Sequence, residues 1–358
     1  MTSLLLMACV AAEPPVVARA EPLSEWNEKF TRTEGWVGAD GAYSVPISPS
    51  RTVWLFGDTF IGSVKGGKRT DVTMVNNTVG IQDGTGAGAK LSFPIRRDGD
   101  KPQAQFIPVD GRGFFWPQGG TLYDGKLYLF LAQVEHTKAG GAFGFKQVGE
   151  WLAVVSNPAD DPLEWKMTQK KLPFCEYTDA RTLSFGSAVL QADGFAYVYG
   201  FDEKAKTMIG KKSLVVARVP LGKLADLDAW RFFRDGQWAE GAEGCDHLAG
   251  GLASELSVSY LPRFQKYAAV YTQNGLSDRI VGRFAGAPEG PWSEPVLFYT
   301  CPEMKADKKL FSYAGKAHPQ LSGENDLVVS YCVNSFEFVR VVNDAALYWP
   351  KFVRVTFK

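Results

Sequence analysis

The chain has 358 residues, 45% hydrophobic and 22% charged, a balance that suits a soluble globular protein and excludes a disordered one. Lys+Arg and Asp+Glu both number 39, so the formal net charge is zero, and with no basic stripe in the sequence nucleic-acid binding is not expected. The 13% aromatic content suits packed β-sheets and also surfaces that stack on sugar rings.

Residues 4–12 form a short apolar run, and Ala18-Arg19-Ala20 offers a small-x-small cleavage site before Glu21. The pattern predicts an export signal over residues 1–20 and one domain over 21–358. Leu6-Met7-Ala8-Cys9 offers a second route, the cleavage box of a bacterial lipoprotein. Either makes the protein periplasmic, extracellular or lipid-anchored. The apolar run is too short to cross a bilayer as a helix, so no transmembrane segment is expected.

Five segments then share one plan: a small residue, a short apolar strand, a turn and a second strand rich in aromatics. The first is Gly41-Ala42-Tyr43-Ser44-Val45 with Thr52-Val53-Trp54-Leu55-Phe56. The second is Gly119-Gly120-Thr121-Leu122-Tyr123, a turn at Asp124-Gly125, then Lys126-Leu127-Tyr128-Leu129-Phe130. The third is Gly186-Ser187-Ala188-Val189-Leu190, a turn at Asp193-Gly194, then Phe195-Ala196-Tyr197-Val198-Tyr199. The fourth opens at Glu255-Leu256-Ser257-Val258, and the fifth at His318-Pro319-Gln320-Leu321. Asp-Gly between alternating apolar runs marks a hairpin, because that pair tolerates the positive φ of a type I′ turn. Three repeats close alike, on a third strand, a Pro-containing connection and an outer strand near Trp165, Trp230 or Trp292. Only residues 221–230 look helical.

The anchors Gly41, Gly119, Gly186, Glu255 and His318 lie 78, 67, 69 and 63 residues apart. Repeats of that length, each one four-stranded antiparallel sheet, predict an all-β, five-bladed β-propeller. A β-sandwich has no reason to repeat a four-strand unit five times. Either residues 25–36 or the C-terminal run Phe352-Val353-Arg354-Val355-Thr356-Phe357 is expected to close the ring.

In a propeller the innermost strands line the central channel, so the residues leading into them are expected at one pocket. Asp40, Asp58 and Glu255 are the candidate catalytic carboxylates. Turn and strand-end roles are the ordinary alternatives for the two aspartates. Glu255 sits in an otherwise apolar and hydroxyl-rich run, where a carboxylate needs a partner. Trp116, Gln118, Asn76, Asn77, Lys316 and His318 are the candidate substrate-binding residues, with Asp246 and His247 weaker ones. Paired carboxylates serve glycoside hydrolysis, one protonating the leaving oxygen and the other activating water or attacking the sugar. No Gly-x-Ser-x-Gly elbow, phosphate-binding Gly-rich loop or His-Glu-x-x-His helix is present.

Cys175, Cys245, Cys301 and Cys332 form no C-x-x-C pair, which leaves zinc and thioredoxin-like chemistry without support. One or two disulfides and buried free thiols both remain open. No cofactor and no metal-ligand set are expected, although carboxylates and carbonyls in the channel leave room for a structural calcium ion.

Gly38-Ala39-Asp40-Gly41 followed by Trp54-Leu55-Phe56-Gly57-Asp58-Thr59-Phe60 resembles the opening of a group of exported bacterial five-bladed propeller proteins. Ser254-Glu255-Leu256-Ser257-Val258 and Lys316-Ala317-His318-Pro319 extend the resemblance across residues 35–358. Some of these relatives are endo-acting D-arabinan hydrolases, and the architecture is similar to that of arabinanase and fructosidase propellers. The resemblance implies a polysaccharide-directed pocket, with a furanoside such as arabinan as substrate and Asp40 and Asp58 at blade-one positions that matter. In arabinanase propellers the carboxylates come from the first three blades. Here blade two offers Gln118 and blade three Phe185, with Glu176 and Asp179 upstream. The expected protein is therefore a monomeric glycoside hydrolase-like propeller, the alternative being a carbohydrate-binding or scaffold propeller without catalysis.

Overall fold

The computed structural model describes residues 13–138, 144–204 and 212–358. Of the seven antiparallel sheets, five are arranged with their innermost strands touching in sequence order about one axis, a five-bladed β-propeller. From the axis outward, blade one is Tyr43–Ser48, Arg51–Phe56, Thr78–Asp83 and Lys90–Ser92. Blade two is Phe114–Tyr123, Lys126–His136, Phe145–Val155 and Met167–Lys171. Blade three has Arg181–Ala192, Phe195–Lys204, Ser213–Pro220 and Arg231–Arg234, widened to six strands by Glu176–Tyr177 and Gln237–Ala239. Blade four is Leu256–Leu261, Lys266–Thr272, Arg279–Ala285 and Val296–Thr300.

The second strand of each blade is covered on both faces by its neighbours, which is why runs such as Val53-Trp54-Leu55-Phe56 are buried without alternation. The Asp-Gly turns take the left-handed backbone they were expected to need, with φ of 48° and 69° at Asp124-Gly125 and 49° and 79° at Asp193-Gly194. A shared irregularity matters more for the site. The innermost strands of blades two, three and five each carry a bulge, between Pro117 and Gly120, Phe185 and Ala188, and Tyr313 and Lys316. Bulges re-aim side chains. The bulge glycines also let neighbouring strands come close: a Cβ on Gly119 would sit 2.9 Å from Ala188 Cα, and one on Gly186, at φ 129°, would sit 2.6 Å from Phe130.

Blade five contains Leu310–Ala317, Asp326–Ser335 and Lys351–Phe357, and its outer strand is Val17–Pro22. The C-terminal run is thus the third strand, and the clasp comes from residues ahead of the expected domain start at Glu21. The propeller sheet begins at Val17, so cleavage after Ala20 would remove most of a paired strand. Residues 25–36 instead contribute to the helix Ser24–Phe30 and the strand Glu34–Ala39. That helix seals the seam between blades five and one: Phe30 lies 5.0 Å from the Trp54 ring and 4.9 Å from Phe352. Burying one such ring contributes about 1.5–3 kcal/mol.

Residues 221–230 form two single 3-10 turns, Leu221–Lys223 and Leu227–Ala229, rather than one helix, as Gly222 and the short Asp-containing steps between them favour turns. Cys175, Cys245, Cys301 and Cys332 are all free thiols. The apolar run and lipoprotein box at residues 4–12 lie outside the described residues. Among the described residues no helix is long and apolar enough to cross a membrane.

Candidate active site

A cavity of about 590 Å³ opens at one end of the axis and is lined by residues of all five blades. Asp40 and Asp58 meet there because a three-stranded sheet is inserted in blade one. Its strand Glu34–Ala39 ends immediately before Asp40, and its strand Thr59–Lys65 starts immediately after Asp58. Backbone bonds lock the pair: Asp40 N–H donates to the Asp58 carbonyl at 3.3 Å, and Gly57 N–H donates to the Asp40 carbonyl at 3.0 Å. Glycine at position 57 leaves the Asp40 carboxyl its place, since a methyl there would press on Asp40 Oδ1 and make it shift.

Each carboxylate has its own support. Asp40 Oδ2 accepts from the hydroxyls of Tyr313 at 2.8 Å and Tyr348 at 3.0 Å. Asp58 Oδ1 accepts from Trp116 Nε1 at 3.0 Å and Asn76 Nδ2 at 3.2 Å. Glu255 Oε1 lies 3.5 Å from Lys316 Nζ, a buried ammonium that also donates to the Ala314 carbonyl and sits 4.0 Å above the centre of the Tyr43 ring. Ala314 and Tyr348 hold left-handed φ of 56° and 64°, which non-glycine residues adopt at a cost of about 1–3 kcal/mol each. Buried Arg69 fixes the Tyr348 side of this arrangement. It donates to the carbonyls of Val37, Val341 and Leu347 and lies between the rings of Phe60 and Trp349.

Three carboxylates in one cavity cannot all ionise freely. Burial, then the negative charges of Asp58 and Glu255, push Asp40 from an ordinary 3.8 up to about 8, against the opposing pull of the two tyrosine hydroxyls. Burial also raises Asp58, opposed by its bonds from Trp116 and Asn76. At neutral pH the site therefore holds a proton on Asp40, beside a Glu255 that has an ammonium for a neighbour.

Of the sequence candidates, Asp40, Asp58, Glu255, Trp116 and Gln118 line the cavity. Asn76 supports Asp58 from behind, and Lys316 lies beneath Glu255. Two substrate-binding expectations are corrected. Asn77 is fully buried and fastens a loop, donating to the carbonyls of Phe106 and Phe115 and accepting from Phe106 N–H. His318 is fully buried between Ser44 and Ser330, 2.7 Å from each hydroxyl, and packs against the Trp54 ring; it is seam, not pocket. Asp246 and His247 also stand apart, Asp246 capping a turn and His247 pairing with Asp202 at 2.9 Å. Sequence reasoning missed Tyr313, Tyr348 and Gln147. The last lines the cavity and donates to fully buried Glu150, whose carboxyl burial raises well above its ordinary value. Among the described residues no group of three or more His, Cys, Asp or Glu is placed to hold a metal ion.

The chain belongs to the family described as Domain of unknown function (DUF5005), whose model matches residues 24–357. No curated protein matches it. Among solved structures it is similar to a Bacteroides ovatus protein named as a candidate hydrolase, with a TM-score of 0.75, 19% identity, and coverage of 94% of this chain and 90% of that one. It is also similar to the GH43_1 enzyme of Xanthomonas citri complexed with xylotriose, with a TM-score of 0.50 and 15% identity over 94% of this chain and 90% of that one. A Bacillus subtilis levansucrase matches with a TM-score of 0.50 and 12% identity, over 97% of this chain and 92% of that one. At these identities the likeness is one of fold.

Proposed function

We propose that the protein is an exported glycoside hydrolase that cleaves an O-glycosidic bond in a polysaccharide, with arabinan-type furanosides as the leading substrate. The observation that carries this reading is the meeting of Asp40, Asp58 and Glu255 in one cavity, with Asp40 held protonated at neutral pH. A glycosidic bond needs a proton delivered to its leaving oxygen and a carboxylate on the far side of the sugar. Asp40 supplies the proton as the carbon–oxygen bond breaks. Glu255, with the Lys316 ammonium as counter-charge, attacks the anomeric carbon or takes a proton from the water that does. Asp58 keeps the proton affinity of Asp40 high by its charge. The hydroxyl of water ends on the anomeric carbon, and no cofactor enters the balance.

Export fits this reading, since polysaccharides lie outside the membrane. Processing upstream of Val17, as at the lipoprotein box, leaves the clasp strand whole. A relationship to endo-acting D-arabinan hydrolases and a monomeric state belong to the same proposal. The test is purified protein on a panel of arabinans and galactans, with Asp40→Asn, Asp58→Asn and Glu255→Gln alongside. Cleavage by the wild type that all three variants lose supports the assignment. Cleavage unaffected by the three sinks it, and glycan binding without cleavage identifies a binding propeller.

A further inference from the structure

Two series of aromatic rings run from the rim of the cavity to its carboxylates. In blade five, Phe336, 52% exposed, lies 4.8 Å from Phe311, which lies 5.5 Å from Tyr313, whose hydroxyl donates to Asp40. In blade two, Phe145, 37% exposed, meets Trp116 edge-on at 4.6 Å, and Trp116 Nε1 donates to Asp58. Blades two and five flank blade one, which carries both aspartates. The rings therefore form two walls, one on either side of the reacting position, and Phe311, Phe336, Trp116 and Phe145 all line the cavity.

Phenylalanine rings offer no hydrogen bond. What they hold is the C–H face of a sugar, while polar groups between the walls, such as Gln118 and Gln147, meet its hydroxyls. The charge pattern narrows the class further. Among the described lining residues Lys212 is the only basic one, and it is already 3.1 Å from Glu203. A uronate would face three acidic side chains and no uncommitted cation in that lining.

We propose that these walls are two sugar-stacking subsites, so that the cavity takes an uncharged glycan with sugars on both sides of the bond to be broken, Phe145 and Trp116 holding one side and Phe336 and Phe311 the other. This rests on the hydrolase reading. Both rim rings are exposed, so Phe145→Ala and Phe336→Ala should keep the wild-type melting temperature.

The experiment uses the full chain, with arabinan and galactan as uncharged probes and polygalacturonate as the charged one. Cleavage is followed for wild type and both variants. Binding is followed through tryptophan fluorescence in the Asp40→Asn background. Each alanine variant is expected to lower kcat/KM on the cleaved polysaccharide about three- to tenfold, and the two together about ten- to a hundredfold. A short glycoside that reaches only one wall should respond to only one of the variants. Polygalacturonate should bind at least tenfold more weakly than the cleaved glycan.

Wild-type cleavage that both variants leave intact overturns the walls and spares the hydrolase. Binding that both variants weaken, without any cleavage, supports the walls and removes the hydrolase. Preferred binding of polygalacturonate overturns the uncharged class. Neither binding nor cleavage of any probe overturns both readings.

Discussion

The five innermost strands run through the whole ring, yet their two ends differ in kind. At the mouth they lead in from Asp40, Trp116, Glu255 and Tyr313. At the opposite end they form a shallow basin of about 500 Å³ lined by Val45, Pro46, Gly120, Val189, Val258 and Pro319, with hydroxyl and amide side chains among them. Among the described residues lining that basin, none is charged. The difference follows from what each end must do. The far end closes into tight hairpins and has only to pack. Three of the four irregularities in the innermost strands lead back toward the mouth, and they turn polar side chains toward the axis, whereas the fourth, between Pro46 and Ser48, lies at the far end. Groups there are half-buried and crowded by like charge, and Tyr348 among them sits on left-handed backbone, a concentration of cost that packing elsewhere must offset.

That contrast can be broken or sharpened by substitution. The largest effect is expected at the mouth: Asp40→Asn or Glu255→Gln should lower polysaccharide hydrolysis by about 10²–10⁴-fold, with no loss of melting temperature. An aryl glycoside with a good leaving group should recover much of the Asp40→Asn loss and none of the Glu255→Gln loss. Away from the carboxylates the pattern should invert. Gly186→Ala puts a Cβ against Phe130 on a backbone at φ 129°, and should cost about 2–4 kcal/mol in denaturant unfolding while activity per folded molecule stays unchanged. His318→Ala strips Ser44 and Ser330 of their shared partner across the seam and should cost about 1–3 kcal/mol, again with activity intact.

A further effect, at the same carboxyl, is a slope with pH. The unfolded chain releases the Asp40 proton near 3.8, the folded chain near 8. Between those values the folded state binds more protons, so its stability falls as pH rises, with that part of the loss complete above pH 8. Asp40→Asn should flatten that slope and give a higher denaturant midpoint than wild type at pH 9, the difference closing toward pH 4.

The repeat, the Asp-Gly hairpins and the candidate carboxylates were readable because they rest on local spacing. Asp40, Asp58 and Glu255 each lead into or leave a strand whose neighbours mark it plainly. The supports were not readable, because they join distant parts of the chain: Tyr313 and Tyr348 reach Asp40 from 273 and 308 positions away. His318 and Asn77 misled for a related reason. A polar residue at a strand end looks the same whether its partners are ligand hydroxyls or serines and carbonyls of a neighbouring blade. Val17–Pro22 was masked by a cleavage-site pattern lying across a strand.

That strand gives the ring a fastening made from opposite ends of the described chain. Val17–Pro22 emerges from the ribosome long before Lys351–Phe357, so a strand made early is among the last to find its partner. Until then blade five presents an open edge, and the early strand is a loose ribbon that fits the same edge on any copy of the molecule. Slow synthesis of the final blade, or crowding among nascent chains, would thus turn an internal clasp into a link between molecules.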